Sequence, residues 1–280
     1  MPFLALEDGK LFYEISGKGR WLVLIHGAWA SHEWWRWQVP VLSRDYRVLT
    51  LDVRGHGQSS PLQTSYSIER FTRDLEIIFQ KLGIEEMSLV GWSMGGMIAL
   101  QFCLNLPRKD KALVLIATRG HRCPKTKRRI RLQHLKARFS LFMDLSAPRK
   151  YDREAETFPG EKDRAEAEVR RMLGIESPKE VFEWVVADLN HNPRRHYFEI
   201  AKSFWDWEAG QNLGKITVPT LILAGEKDDW VPPFFSRLLQ EQIPGSRLVI
   251  VERAGHCLPL ERPERVNFEL SHFLHSLNYL

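Results

Sequence analysis

The stretch Met87-Ser88-Leu89-Val90-Gly91-Trp92-Ser93-Met94-Gly95-Gly96 decides how the rest of the chain is read. Its first four residues form a short, largely apolar run closed by a glycine, the pattern of a buried strand. From Met94 to Leu106 the sequence reads as a helix that stops before Pro107. Between them lies Gly91-Trp92-Ser93-Met94-Gly95, and a G-x-S-x-G run that joins a strand to a helix predicts a nucleophile elbow. Such a turn strains the serine backbone and leaves no room for a side chain two residues to either side. The hydroxyl is then held above the strand end, at the positive end of the helix dipole. Gly96 adds further room.

Similar units recur on both sides of this turn. Strands are expected at Leu11–Ile15, Trp21–Ile25, Arg47–Leu51, Ala112–Ala117, Thr220–Leu223 and Arg247–Val251. The inner ones are almost continuous Val, Ile and Leu, as parallel strands covered on both faces require. Ser67 can cap a helix that presents Phe71, Leu75, Ile78, Phe79 and Leu82 on one face and stops at Gly83. Further helices follow Pro232-Pro233 and Pro263, prolines suited to a first helical turn. The alternation predicts an α/β protein with a doubly wound, mostly parallel sheet. The opening pair of strands, joined through Gly17 and Gly19, is expected to form an antiparallel edge. About a hundred residues separate Ala117 from Thr220, several times the usual crossover. Their helical patterns predict an inserted cap over 120–210, with the core made by 1–119 and 211–280.

Composition narrows the classes. A chain of 280 residues with 44% hydrophobic and 27% charged residues holds enough apolar material for one large core, which excludes disorder. No apolar run approaches the ~20 residues of a membrane span, and Met1-Pro2 leads into Glu7 and Asp8 rather than a secretory signal. Three scattered cysteines, Cys103, Cys123 and Cys257, make neither a disulfide framework nor a thiolate metal site. A cytoplasmic protein is expected. The formal charge of +5 is modest but uneven, because Lys111 to Met143 contains no acidic residue among its many bases. Leu132, Leu135, Phe139 and Phe142 fall at helical spacing there, so a basic amphipathic cap helix is expected. The segment 119–138 could make weak contact with an anionic surface. It lacks the interleaved aromatics of a nucleic-acid site, and no nucleic-acid partner is expected.

A serine hydroxyl needs a base, and the base needs an orienting acid. His256 follows the last expected strand, and Asp228 follows the one before it, with Asp229 as an adjoining alternative carboxylate. Both fall at carboxyl ends of strands, where sites form in open α/β sheets, and the order Ser, Asp, His suits this fold. The expected catalytic set is Ser93, Asp228 and His256. An oxyanion hole is expected from the backbone N–H groups of Met94 and Ala28, the latter after the turn His26-Gly27. Trp29, Trp184 and Trp205 are candidate substrate-binding aromatics. No phosphate-binding loop or metal-ligand cluster is visible, so neither a cofactor nor a metal is expected.

With these residues in view, the sequence resembles the α/β-hydrolase superfamily, in particular its small cofactor-free esterase, enol-lactonase and perhydrolase branch with a helical cap. The matching motifs are His26-Gly27, Asp52-Val53-Arg54-Gly55-His56-Gly57-Gln58-Ser59, Gly91 to Gly96, Gly225 to Pro232 and Gly255-His256. The resemblance implies that Arg54 and His56 serve loop packing. It also implies that an acid taken from the end of the previous strand would fall at Thr118, which leaves Asp228. Ser93 departs from the aspartate nucleophile of haloalkane dehalogenases and epoxide hydrolases. Cys257 stands where plant-type hydroxynitrile lyases carry a lysine, and Ala28-Trp29-Ala30-Ser31 lacks the glycine run of C–C hydrolases. The implied function is cofactor-free hydrolysis of small apolar or aromatic carboxylic esters through an acyl-enzyme. The alternatives are C–C or enol-lactone hydrolysis on the same residues, or ligand binding without turnover.

Overall fold

A computed structural model describes residues 2–106, 110–121, 166, 169–174, 176–191, 197–205 and 207–277. Eight strands form one sheet: β1 (Phe3–Leu6), β2 (Gly9–Ser16), β3 (Trp21–Ile25), β4 (Arg47–Leu51), β5 (Met87–Trp92), β6 (Asp110–Ile116), β7 (Thr220–Gly225) and β8 (Arg247–Val251). Their order across the sheet is β1-β2-β4-β3-β5-β6-β7-β8. From β4 to β8 every pairing is parallel, with Val23 opposite both Leu49 and Leu89, and Leu89 opposite Leu113. The fold is the α/β hydrolase fold, a mostly parallel sheet between layers of helices.

The edge differs from the expectation for the opening strands. β2 does not pair with β3; it runs antiparallel to β1 and to β4, and β4 separates it from β3. The connection through Gly17 and Gly19 is therefore a crossover between non-adjacent strands rather than a hairpin turn. Gly17 is held at φ 77 against the carbonyls of Ser43 and Tyr46. The short strand β1 has a half-exposed alternation that left little trace in the sequence.

Period-two alternation divides the core between the two faces of the sheet. Val23, Leu49, Leu89, Leu113 and Ile222 point to one face, with helices α2 (Ile68–Leu82) and α3 (Met94–Asn105) packed on it. Leu22, Leu24, Val90, Val114, Leu221 and Leu223 point to the other, towards Trp35, Phe273 and Leu274. The last two belong to α8 (Pro263–Ser276), and Trp35 ends a short turn, His32–Trp35, that precedes α1 (Val39–Leu42). Ser67 caps α2 by accepting from the N–H of Arg70 at 3.1 Å, and Gly83 ends it at φ 66. From Met94 to Leu100 α3 is apolar and buried on every side, and Gln101 and Asn105 add polar side chains only towards its end.

Between β6 and β7 the described residues contain α4 (Lys179–His191), α5 (Tyr197–Trp205) and a 3-10 turn, Gly210–Lys215, and no strand. The basic residues expected on an amphipathic helix lie outside the described residues from 122 onward. Arg119, at the start of that segment, donates to the carbonyls of His121, Phe204, Trp205 and Trp207, so its charge faces the carboxyl end of α5. Two more helices follow β7 and β8: α6 (Pro233–Gln242) and the short α7 (Leu258–Glu261). Among the described residues no helix is long and apolar enough to cross a membrane.

The turn from β5 to α3 is packed backbone against backbone. A Cβ on Gly91 would come within 2.6 Å of the Gly95 carbonyl carbon, and one on Gly95 within 2.6 Å of the His26 carbonyl oxygen. Neither neighbour is a side chain that can rotate away. We expect Gly95→Ala to lower stability by about 3 kcal/mol, a drop of roughly 6–12 °C in the melting midpoint for a domain of this size. A variant that melts with the parent in calorimetry would show that the turn can relax.

Candidate active site

Because β3 and β5 to β8 are parallel, the loops that follow them all open on one edge of the sheet. The chain crosses from one side of β3 to the other between β4 and β5, which makes a switch point between the ends of β3 and β5. Ser93 stands at that point. It caps α3 with φ 54 and ψ −116, a conformation that a residue with a side chain adopts only under constraint. The constraint is visible. The Ser93 N–H donates to the Ile116 carbonyl at 2.9 Å, and the Ser93 carbonyl accepts from the Thr118 hydroxyl at 2.7 Å. The position weighed as a site for the acid therefore holds a strut of the serine turn.

Ser93 Oγ lies 3.0 Å from Nε2 of His256, and Nδ1 of the same ring lies 2.8 Å from Oδ2 of Asp228. A carboxylate only accepts, so Nδ1 carries the proton and Nε2 presents its lone pair to the serine. The other carboxylate oxygen, Oδ1, accepts from the N–H groups of Trp230 and Val231, each at 2.8 Å. Asp228 is buried, whereas Asp229 is exposed. Side-chain position thus separates the two carboxylates that the sequence left open. The imidazole lies between two indoles: Trp230 nearly parallel at 5.9 Å and Trp92 at 5.6 Å. Trp92 also donates from Nε1 to the His256 carbonyl at 2.8 Å.

The loop after β3 closes over Ser93. A Cβ on Gly27 would come within 2.9 Å of the Trp92 ring and 3.1 Å of the Ser93 Cβ, so a side chain there would have to displace the buried indole. Next to it, Ala28 is half-buried, and Met94 opens α3, where first-turn N–H groups have no partner within the helix. His26 fixes the loop: its Nδ1 donates to the Gly27 carbonyl at 2.7 Å, and its Nε2 accepts from the Val53 N–H at 2.9 Å. Burial, ahead of every other influence, pushes His26 down to about 4 and His56 to about 3, so both rings are neutral at pH 7. Burial also opposes the charge of Asp52. Burial is the largest single influence there, but the hydrogen bond from His32, the electrostatic pull of the neighbouring histidines and the Gln58 N–H together outweigh it and hold the carboxyl below its ordinary range. Arg54 donates to Asp8, Ser60 and Pro61. These residues brace the loops rather than meet the serine.

The sequence profile of the alpha/beta hydrolase fold matches residues 20–263. The chain belongs to that family. It is 27% identical over 275 residues to a provisionally named carbamate hydrolase of Azorhizobium caulinodans, covering 95% of this chain and 96% of that one. It is 29% identical to a 2-hydroxy-6-oxononadienedioate/2-hydroxy-6-oxononatrienedioate hydrolase of Cupriavidus pinatubonensis, covering 97% and 94%. Among solved structures, an esterase from Exiguobacterium antarcticum superposes with a TM-score of 0.82 at 26% identity, covering 98% of each chain.

In this hydrolase fold the three candidate substrate-binding tryptophans part company. Trp29, in the loop after β3, is buried with φ 64 and meets Phe204 and Trp230 edge to face, each at 6.0 Å. Trp184 packs on Trp34 and under the Arg36 guanidinium, and Trp34 in turn stacks on Trp92. That places Trp184 two rings away from His256. Trp205 ends α5, where its carbonyl accepts from Arg119. Trp230, outside the expected set of aromatics, touches both the histidine ring and Trp29. Its place two residues after the acid, in a turn whose N–H groups the acid accepts, was the available signal. Among the described residues no group of three or more His, Cys, Asp or Glu could hold a metal ion.

Proposed function

We propose that this protein is a serine hydrolase that cleaves carboxylic esters through an acyl-enzyme on Ser93. The observation that carries this reading is the relay from Ser93 Oγ to His256 Nε2, and from Nδ1 to Asp228, at 3.0 and 2.8 Å beneath a constrained turn. Ser93 Oγ attacks the ester carbonyl while His256 Nε2 takes its proton. The N–H groups of Ala28 and Met94 receive the oxyanion. His256 returns the proton to the leaving alcohol, and water then repeats the sequence on the acyl-enzyme. Asp228 holds the imidazole in the tautomer that this requires. No step calls for a cofactor. The aromatic cluster of Trp29, Trp230 and Phe204, which meets the His256 ring through Trp230, suits an apolar or aromatic acyl group.

C–C bond or enol-lactone hydrolysis is the second reading, favoured by the likeness to the 2-hydroxy-6-oxononadienedioate/2-hydroxy-6-oxononatrienedioate hydrolase. Both readings use the same three side chains and differ in the bond presented to Ser93. Initial rates on p-nitrophenyl esters graded from acetyl to long-chain acyl test the first. Saturable turnover with an optimum at a short or medium chain is expected. A folded protein that cleaves none of these esters but splits a ring-cleavage dienoate would replace the first reading with the second.

A further inference from the structure

The segment bearing His256 is held by a side chain that the relay does not include. Glu261 is buried on α7, five residues past the histidine, and its carboxylate collects four donors. Oε2 accepts from the N–H of Gly174 at 2.7 Å, the N–H of Gly255 at 2.9 Å and the Ser177 hydroxyl at 2.8 Å. Oε1 accepts from the N–H of Cys257 at 2.9 Å. Among the described residues no cation pairs with it. A buried carboxylate without a cation is costly unless its lone pairs are filled, and here neutral donors fill them. Two of those donors are the residues on either side of His256. The Cys257 N–H lies in the peptide that follows the His256 Cα, and the Gly255 N–H in the peptide between Ala254 and Gly255, so one rigid carboxylate ties the backbone ahead of the histidine and after it and restricts the direction in which the imidazole leaves the chain.

The remaining two donors come from a different part of the chain, the stretch between β6 and β7. There Met172 also accepts the His256 N–H at 2.9 Å. The contact is backbone to backbone, since a Cβ on Gly255 would come within 2.8 Å of the Leu173 carbonyl carbon and the Met172 oxygen. A Cβ on Gly174 would come within 2.8 Å of Glu261 Oε2 and 2.9 Å of the Gly255 N. On the far side, a Cβ on Gly225, at the end of β7, would meet Ala254 at 2.9 Å. Three glycines thus let the end of β7, the histidine loop and the segment Met172–Gly174 lie directly against one another, with Glu261 tying the last two together.

We propose that Glu261 is a positioning residue for the His256 base, and that it works by clamping the histidine loop to the segment Met172–Gly174. This rests on the reading of His256 as the base for Ser93. The consequence is specific: displacing Gly174 is felt at the histidine, although Gly174 does not touch the ring.

The test compares the parent with Glu261→Gln, Glu261→Ala and Gly174→Ala. Competent sites are first counted by titrating Ser93 to the endpoint with diethyl p-nitrophenyl phosphate, so that misfolded protein drops out of the comparison. kcat and KM for p-nitrophenyl acetate are then expressed per titrated site. A glutamine can keep its oxygen towards Gly174, Ser177 and Gly255, but its amide group then opposes the Cys257 N–H; alanine removes every tie. We expect kcat per site to fall about 10-fold in Glu261→Gln and Gly174→Ala and about 100-fold in Glu261→Ala. KM should stay within about threefold of the parent, and the rate of phosphorylation should fall in step with kcat. Should Glu261→Ala fail to fold, the glutamine and Gly174 variants carry the same comparison. A kcat per site equal to the parent's in these variants, whatever their melting midpoints, overturns the proposal and leaves Ser93 and His256 as read. A parent that neither titrates nor turns over ester removes the reading of Ser93, and the proposal falls with it.

Discussion

Ser93→Ala is expected to lower kcat on p-nitrophenyl esters by about 10⁶-fold while the protein melts close to the parent. The hydroxyl is the only atom lost. The ties that hold residue 93 at φ 54 are its N–H to Ile116 and its carbonyl to Thr118, and an alanine keeps both. The substitution also leaves the relay from His256 to Asp228 in place, along with the loop over Gly27. Any residual rate therefore measures what oriented N–H groups and binding supply without a nucleophile. Initial rates, stoichiometric labelling by a fluorophosphonate and a thermal melt form one experiment. Loss of both turnover and label with an unchanged melt is the expected pattern. Turnover at the parent's rate would mean that Ser93 is not the nucleophile.

Asp228→Asn should cost about 10⁴-fold in kcat, with little effect on KM or fold. Oδ1 accepts two backbone N–H groups, from Trp230 and Val231. An asparagine must leave its carbonyl oxygen there, because turning the amide around would set NH2 against two donors. Its NH2 then faces Nδ1 of His256, which can meet it only as an acceptor. The imidazole proton moves to Nε2, the atom 3.0 Å from Ser93 Oγ, and the base can no longer take the serine proton. The loss comes from a tautomer rather than from a displaced ring. Steady-state kinetics together with the imidazole proton resonances in NMR would separate the two causes. A kcat within tenfold of the parent would show that the acid is not required.

Much of this arrangement was legible in the chain because its signals are local. The strands Trp21–Ile25, Arg47–Leu51 and Arg247–Val251 fall where continuous β-branched and leucine runs end at turn residues. Ser67, Gly83, Pro233 and Pro263 mark helix ends by side-chain chemistry or restricted backbone angles alone. The tight turn at Ser93 was legible from glycine spacing, since a glycine is needed wherever a Cβ would strike backbone.

The order of the strands was not legible in the same way. β2 and β3 are neighbours in the chain, yet β4 lies between them, because the sheet pairs residues by complementary faces and not by sequence distance. Trp184 and Trp205 illustrate a second gap. Aromatic content marked their region as apolar, but whether a ring meets the imidazole, a neighbouring indole or a guanidinium depends on how separate helices stack.

The amino-acid sequence by itself determined the strand-turn-helix around Ser93, the alternating α/β plan and the three polar side chains that follow strand ends, since each is written in steric or periodic rules that act over a few residues. Only the tertiary structure decided which of two adjoining carboxylates turns towards His256. It alone placed Thr118 behind the serine turn and brought Glu261 to Gly174 across 87 residues of chain. Contacts of that kind depend on where packed elements bring distant backbone N–H groups together, and a buried acceptor is specified by those groups rather than by its own neighbours in sequence.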